Sequence, residues 1–424
     1  MGGAHRLDAV PAPTASVVAA PARRRRGGLT LLGPAFVAAV AYVDPGNVAA
    51  NLTAGARYGY LLVWVLVCAN LMAVLVQYLS AKLGLVTGAS LPELLGRRLP
   101  RAGRVAFWLQ AESVAAATDL AEVIGGAIAL QLLFGVPLVV GGLVVGLVSM
   151  AVLEVQSRRG QRPFEAVVVG LLAVITLGFV AGLVVSPVSA DVARGLVPRF
   201  AGTQTVLLAA SMLGATVMPH AVYLHSSLSR DRHGRPVGAD RRVVLRATRW
   251  DVLLSLLLAG SVNVAMLVLA ASGLAGRAGT DTIEGAHAVI TDSLGPVIGV
   301  LFGIGLLASG LASTSVGCYA GSTIMAGLLH ARVPLLARRA VTLVPALVVL
   351  ALGVDPTWAL VLSQVFLSIG IPFALVPLVR LTGSRAVMGR FANGPVLAGA
   401  AWAVVGAVVA LNVALVTLTV MGRA

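Results

Sequence analysis

The chain has 424 residues, 58% of them hydrophobic and 11% charged, with a mean hydropathy of +0.96. That profile excludes a soluble globular domain and marks a multi-pass membrane protein. The formal charge of +15 does not describe a nucleic-acid surface, because the basic residues do not gather with aromatics on one domain but punctuate apolar segments.

Residues 1–28 are rich in Ala and Pro and end in Arg23-Arg24-Arg25-Arg26. They lack an apolar core with a cleavage site, so no secretory signal is expected, and the segment is predicted to be a disordered cytoplasmic tail. Apolar stretches of roughly 20 residues follow. They predict eleven helices near 30–58, 60–86, 104–134, 136–154, 164–185, 204–229, 250–273, 295–328, 340–354, 356–380 and 395–421. With the N-terminus inside, all but Arg57, Arg194, Arg199, Arg277 and Arg423 of the 31 Lys and Arg residues fall on the cytoplasmic side. Each loop then obeys the positive-inside rule, and the C-terminus lies outside.

The first span is broken near its middle by Asp44-Pro45-Gly46-Asn47. Pro removes a backbone donor and clashes with the preceding turn, leaving carbonyls unpaired in a medium that cannot satisfy them. A bound ion is the usual partner at such a break. Asp44 and Asn47 are three residues apart, so two oxygen ligands can point to one side. A carboxylate at mid-membrane costs about 2.5–3.5 kcal/mol on insertion scales. Asp44 therefore reads as an ion ligand, the competing role being a cap for the half-helix that follows it.

The third span carries Glu112, Asp119 and Glu122, which at about 100° per residue share a narrow face. Three acids exceed what packing needs, and their available partners are Arg338 and Arg339 at the inner end of the ninth span. Such acids relay protons in pumps and symporters, or form a static salt-bridge network.

The sixth span has a second break, at Met218-Pro219-His220. A thioether beside an Asp–Asn pair adds softness that favours transition metals over hard cations, although Met more often fills gaps in a core. His220 and His225 can join a proton path or simply be hydrogen-bonded core residues. Breaks in the first and sixth spans suggest two five-helix halves, 29–185 and 204–380, running in opposite senses, with 395–421 as an extra helix.

In the tenth span Gln364, followed by Ser368 and Gly370-Ile371-Pro372, offers a neutral oxygen for an ion or for a bond between helices. Interhelical bonding is the expected role of Gln77, Asn70 and Asn263. Cys68 and Cys318 read as small buried hydrophobes, and Glu284 and Asp292 as part of an acidic outer loop. H-E-x-x-H, P-loop and G-x-S-x-G patterns are missing from the sequence, and an enzyme is not expected.

Asp44-Pro45-Gly46-Asn47 and Met218-Pro219-His220, the latter followed by Tyr223-Leu224-His225-Ser226, resemble the two signature motifs of the Nramp family of proton-coupled divalent metal transporters. The resemblance is greatest to its bacterial manganese branch. It extends to Thr118-Asp119-Leu120-Ala121-Glu122 and Ser363-Gln364, and covers nearly the whole chain. It implies an all-α, LeuT-like fold of eleven transmembrane helices in the bacterial cytoplasmic membrane, functional as a monomer and importing Mn²⁺ and Fe²⁺ with protons. Cd²⁺, Co²⁺ or Zn²⁺ would compete. The metal and protons are then substrates, no cofactor is implied, and the bilayer is the only other partner. By the same resemblance the metal is held by Asp44, Asn47, Met218, the backbone carbonyl of Ala215 and, in some states, Gln364. Asp119, Glu122, His220 and Glu112, with Arg338 and Arg339, belong to the proton route or its electrostatic support. Met218 argues against the branches that carry aluminium or magnesium. Two other readings of the residues stay open: a passive divalent-cation channel, and a sodium-coupled amino-acid transporter in which Met218 walls the substrate pocket.

Overall fold

The computed structural model describes residues 33–185, 190–277, 279–280, 282–331 and 333–421, and all regular structure among them is helical. The tail 1–28, Arg332 and Arg423 lie outside the described residues. In chain order the helices are α1 (Pro34–Val40), α2 (Pro45–Tyr58), α3 (Val63–Thr87), α4 (Leu91–Arg98), α5 (Arg101–Phe134), α6 (Leu138–Arg159), α7 (Gln161–Val185) and α8 (Thr203–Thr216). Then come α9 (Pro219–His233), α10 (Gly238–Gly273), α11 (Ile283–Leu294), α12 (Pro296–Leu329), α13 (Leu335–Ala351), α14 (Pro356–Gly383), α15 (Arg385–Met388) and α16 (Pro395–Val420).

Nine helical stretches among the described residues are long and apolar enough to cross a membrane, with α2 and α3 joined as one stretch and α8 and α9 as another. Each of the eleven predicted spans overlies helix. The first is α1 plus α2, which a short 3-10 turn separates from α3. The ninth is α13, of 17 residues. Large apolar side chains such as Leu71, Leu147, Leu177 and Val341 point outward, each more than 60% exposed, whereas Asp44, Asn47, Gln77, Asp119, Glu122 and Gln364 are buried inside. That arrangement suits a hydrocarbon surround.

Four features differ from the sequence expectation. Helix α10 starts at Gly238 rather than near 250, so Arg241, Arg242, Arg246 and Arg249 ride on a helix and not in a loop; arginine is a good helix former. Helix α4, not predicted, is set by a capping box: Ser90 Oγ accepts from Glu93 N at 3.4 Å, and Glu93 Oε2 accepts from Ser90 N at 3.1 Å. The acidic outer loop is helix α11, with Glu284 in its first turn and Thr282 as its cap. Cys318 is buried as expected, but Cys68 is only partly so.

Both breaks follow from a Pro at the first position of a half-helix. Asp44 (φ −73°, ψ 167°) and Met218 (φ −71°, ψ 122°) are extended, as the residue before Pro prefers, and Pro45 and Pro219 start α2 and α9. The carbonyls freed at the first break do not wait for an ion. Val43 O accepts from Ser309 Oγ at 2.6 Å, Val40 O from Ser313 Oγ at 3.3 Å, and Tyr42 O from Asn263 Nδ2 at 2.6 Å. Helices α10 and α12 thus supply what lipid cannot, and the broken crossing is held from two sides. At Gly125 a side chain would overlap Pro45, so α5 passes directly beside the break.

Candidate metal site and its acid–arginine column

Asp44 caps α2. Its Oδ1 accepts from Asn47 N at 2.7 Å and from Asn47 Nδ2 at 2.8 Å, while Oδ2 is buried without a hydrogen-bond partner. The capping and ligand roles are therefore compatible, because one oxygen serves each. Asn47 Nδ2 also donates to Ala215 O at 2.9 Å, near the C-terminal end of α8. With both amide hydrogens so engaged, Asn47 Oδ1 is left free of protein donors. Met218, in the second break, is fully buried. Gln364, on α14, is fully buried with both amide atoms unpaired, and packs so tightly on Gly46 that a methyl group there would overlap it. The structure thus brings Asp44, Asn47 and Ala215 into one hydrogen-bonded unit, and places Gln364 against the same break.

This donor set can hold a divalent cation. It offers one carboxylate, amide oxygens, a carbonyl and, at the second break, a thioether, which is softer than an all-oxygen cage. Among the described residues no cluster of three or more His, Cys, Asp or Glu side chains has metal-holding geometry. The single carboxylate neutralises half the charge of a dication, a balance that suits release better than permanent residence.

Helix α5 carries the acids. Arg339 Nη1 lies 2.5 and 2.6 Å from the two oxygens of Asp119, and its Nε donates to Ser149 Oγ at 2.7 Å; Thr314 donates to Asp119 as well. Arg338 pairs with Glu112 and donates to Cys318 O at 3.2 Å, in a space that exists because residue 321 is Gly. Glu122, three residues or five-sixths of a turn beyond Asp119, is fully buried and neither of its oxygens has a hydrogen-bond partner. The two arginines expected as partners are therefore used by Asp119 and Glu112, and Glu122 makes no ion pair or hydrogen bond among the described residues.

The two histidines separate. His225 Nδ1 meets Gln77 Oε1 at 2.8 Å, and Gln77 Nε2 donates to Tyr42 Oη at 2.6 Å, a chain that joins α9 and α3 to the first break. His220 is buried with both ring nitrogens unpaired, and is not hydrogen-bonded to Asp119 or Glu122. Asn263 bridges helices through Asn51 Nδ2 at 2.8 Å as well as Tyr42. Asn70 packs on Gly260 with its oxygen unpaired. Sequence reasoning passed over Ser149, Ser309, Ser313 and Thr314, since hydroxyls are too common in membrane helices to stand out. It also passed over Asp251, whose carboxylate takes Gly33 N and Ala35 N at 3.0 Å each and so caps α1. An acid at the start of an apolar run was the available signal.

Residues 35–418 match the family model described as natural resistance-associated macrophage protein-like (Nramp). The divalent metal cation transporter MntH of Mycobacterium tuberculosis is 62% identical over 394 residues, 92% of each chain. The manganese transporter of Eremococcus coleocola, solved with an aromatic bis-isothiourea compound, matches with a TM-score of 0.83 at 32% identity, over 94% of this chain and 89% of that one. Mhp1, a nucleobase-cation-symport-1 transporter, matches with a TM-score of 0.56 at 14% identity over 92% of this chain and 90% of its own, a likeness of fold alone. The fold is the LeuT-like one that the resemblance of the sequence motifs to this family implies.

Proposed function

The chain belongs to the Nramp family, and on that premise we propose that it imports divalent transition-metal ions, Mn²⁺ first and Fe²⁺ as well, together with protons, across the bacterial cytoplasmic membrane by alternating access. As a member of a transporter family it is not an enzyme. The observation that carries the reading is the pairing of Asn47 with both Asp44 and Ala215, which joins the two helix breaks and leaves Asp44 Oδ2 and Asn47 Oδ1 for an ion.

In this reading the ion takes oxygen from Asp44, Asn47 and the Ala215 carbonyl and sulfur from Met218, with Gln364 completing the shell in one of the states. The thioether discriminates against Ca²⁺ and Mg²⁺, which prefer oxygen alone. Rocking of the half-helices would open the site to one side and then the other. An inside-negative potential contributes about 2.3 kcal/mol per charge per 100 mV, so a dication is drawn inward.

Protons follow α5. Glu122, which makes no ion pair or hydrogen bond among the described residues, takes up and gives back the proton in this reading; Asp119, clamped by Arg339, and Glu112, paired with Arg338, continue the line of acids towards the basic end of the bundle. His220 is a further proton-accepting group beside the second break. The N-terminus is cytoplasmic, the C-terminus outside, and one chain suffices.

Simultaneous recording of Mn²⁺ and of internal pH in proteoliposomes tests this. Saturable Mn²⁺ entry with acidification is expected, and Asp119→Asn should abolish the acidification. Non-saturating entry would indicate a channel, and sodium-driven uptake of labelled amino acid the other transporter class.

A further inference from the structure

At the basic end of the bundle a cavity of about 380 Å³ lies between α3, α10 and the segment leading into α16. It is lined by Lys82, Arg242, Arg246 and Arg249 together with Tyr78 and Phe391. We propose that this cavity is a binding site for the phosphate group of an anionic phospholipid.

Four cations converge on it, and none takes part in an ion pair among the described residues. Lys82 is the only lysine of the chain, and it is 6% exposed. A buried ammonium group without a carboxylate needs another counter-charge. Its Nζ donates to Asn393 Oδ1 at 2.8 Å, which leaves two of its three hydrogens for a ligand. Arg249 is fixed over Tyr78, with the guanidinium carbon 5.2 Å from the ring centre and Nε donating to the phenol oxygen at 3.1 Å. Phe391 is flanked in the same way by Arg241 and Arg390, at 5.3 and 5.1 Å. Like charges held this close repel one another, and an oxyanion among them removes that repulsion.

Phosphate oxygens are the shared chemistry of a lipid headgroup and free phosphate. The lipid is favoured by what continues from the cavity. On α10 the face bearing Arg242 and Arg246 runs on at helical spacing into Trp250, Leu253 and Leu257, which are 57%, 41% and 59% exposed. Acyl chains can lie along that stripe while the headgroup sits among the cations, with Trp250 at the level of the interface.

Native mass spectrometry of the full chain in detergent tests the site, with phosphatidylglycerol, phosphatidylcholine of the same acyl chains, and inorganic phosphate as probes. Phosphatidylglycerol should bind about tenfold more tightly than phosphatidylcholine, and Arg242→Gln/Arg246→Gln should remove that preference, given the pull each cation exerts on an anionic headgroup. Arg97→Gln/Arg98→Gln, which removes the same charge from the end of α4, should keep it. No preference in the unmodified protein, a preference retained by the cavity variant, or one equally lost in the α4 variant would overturn the proposal. Displacement of the lipid by an equal concentration of inorganic phosphate would overturn its assignment to a lipid.

Discussion

Asn47 donates its side-chain amide to the backbone carbonyl of Ala215 across 2.9 Å, so the break in the first crossing is tied to the break in the sixth. Both are parts of helices that must move if the site is to change sides. In Asn47→Leu the tie, the second hydrogen bond to Asp44 and the amide oxygen proposed as an ion ligand are lost together. A hydrogen bond to a charged group is worth about 1.5–3 kcal/mol, so the apparent affinity for Mn²⁺ should fall about tenfold or more. Concentration-dependent uptake in proteoliposomes gives that number directly.

Gly46 makes a different prediction, because its lack of a side chain is what lets Gln364 lie against the break. Gly46→Ala should destabilise the solubilised protein by about 1–3 kcal/mol through overpacking and slow transport. Gln364→Ala in the same chain should restore the melting temperature, since it removes the colliding group. Transport need not recover with it if Gln364 is also a ligand.

The Asp119–Arg339 pair is completely enclosed. Removing one partner of such a pair leaves a bare buried charge and typically costs 3–5 kcal/mol. Arg339→Met should therefore fall in that range by thermal or denaturant unfolding, whereas Arg339→Met/Asp119→Leu should be much nearer the unmodified protein. Both should lack proton movement, which separates the structural effect from the functional one.

Ser90→Ala tests a contact that involves none of the candidate metal-site residues. Loss of the N-cap of α4 should cost about 1 kcal/mol in stability with Mn²⁺ uptake unchanged.

The crossings were legible because apolar runs interrupted by arginines leave little choice in a membrane, and the breaks because Pro45 and Pro219 stand in the middle of such runs. The matching of two arginines with acids of α5 was legible for a similar reason: a charge at that depth needs an opposite charge. What stayed hidden depends on neutral groups or on local geometry. Ser309, Ser313 and Asn263 satisfy the carbonyls of the first break, yet a serine or an asparagine in a span says nothing of which carbonyl it will meet. The start of α10 was hidden by its arginines, which read as a loop although the helix carries them from Gly238 onward. The cap of α4, in contrast, was written plainly in Ser90-Leu91-Pro92-Glu93 and could have been read.

The central claim is that Asp44 supplies the charge and Met218 the selectivity of one metal site. The measurement that bears on it most directly is Mn²⁺ uptake into proteoliposomes at a clamped potential, with Ca²⁺ as competitor, for the unmodified protein, Asp44→Ala and Met218→Ala. The account predicts no uptake by Asp44→Ala, and by Met218→Ala an uptake that Ca²⁺ now inhibits. Normal, Ca²⁺-insensitive Mn²⁺ transport by both variants would contradict it and place the site elsewhere in the bundle.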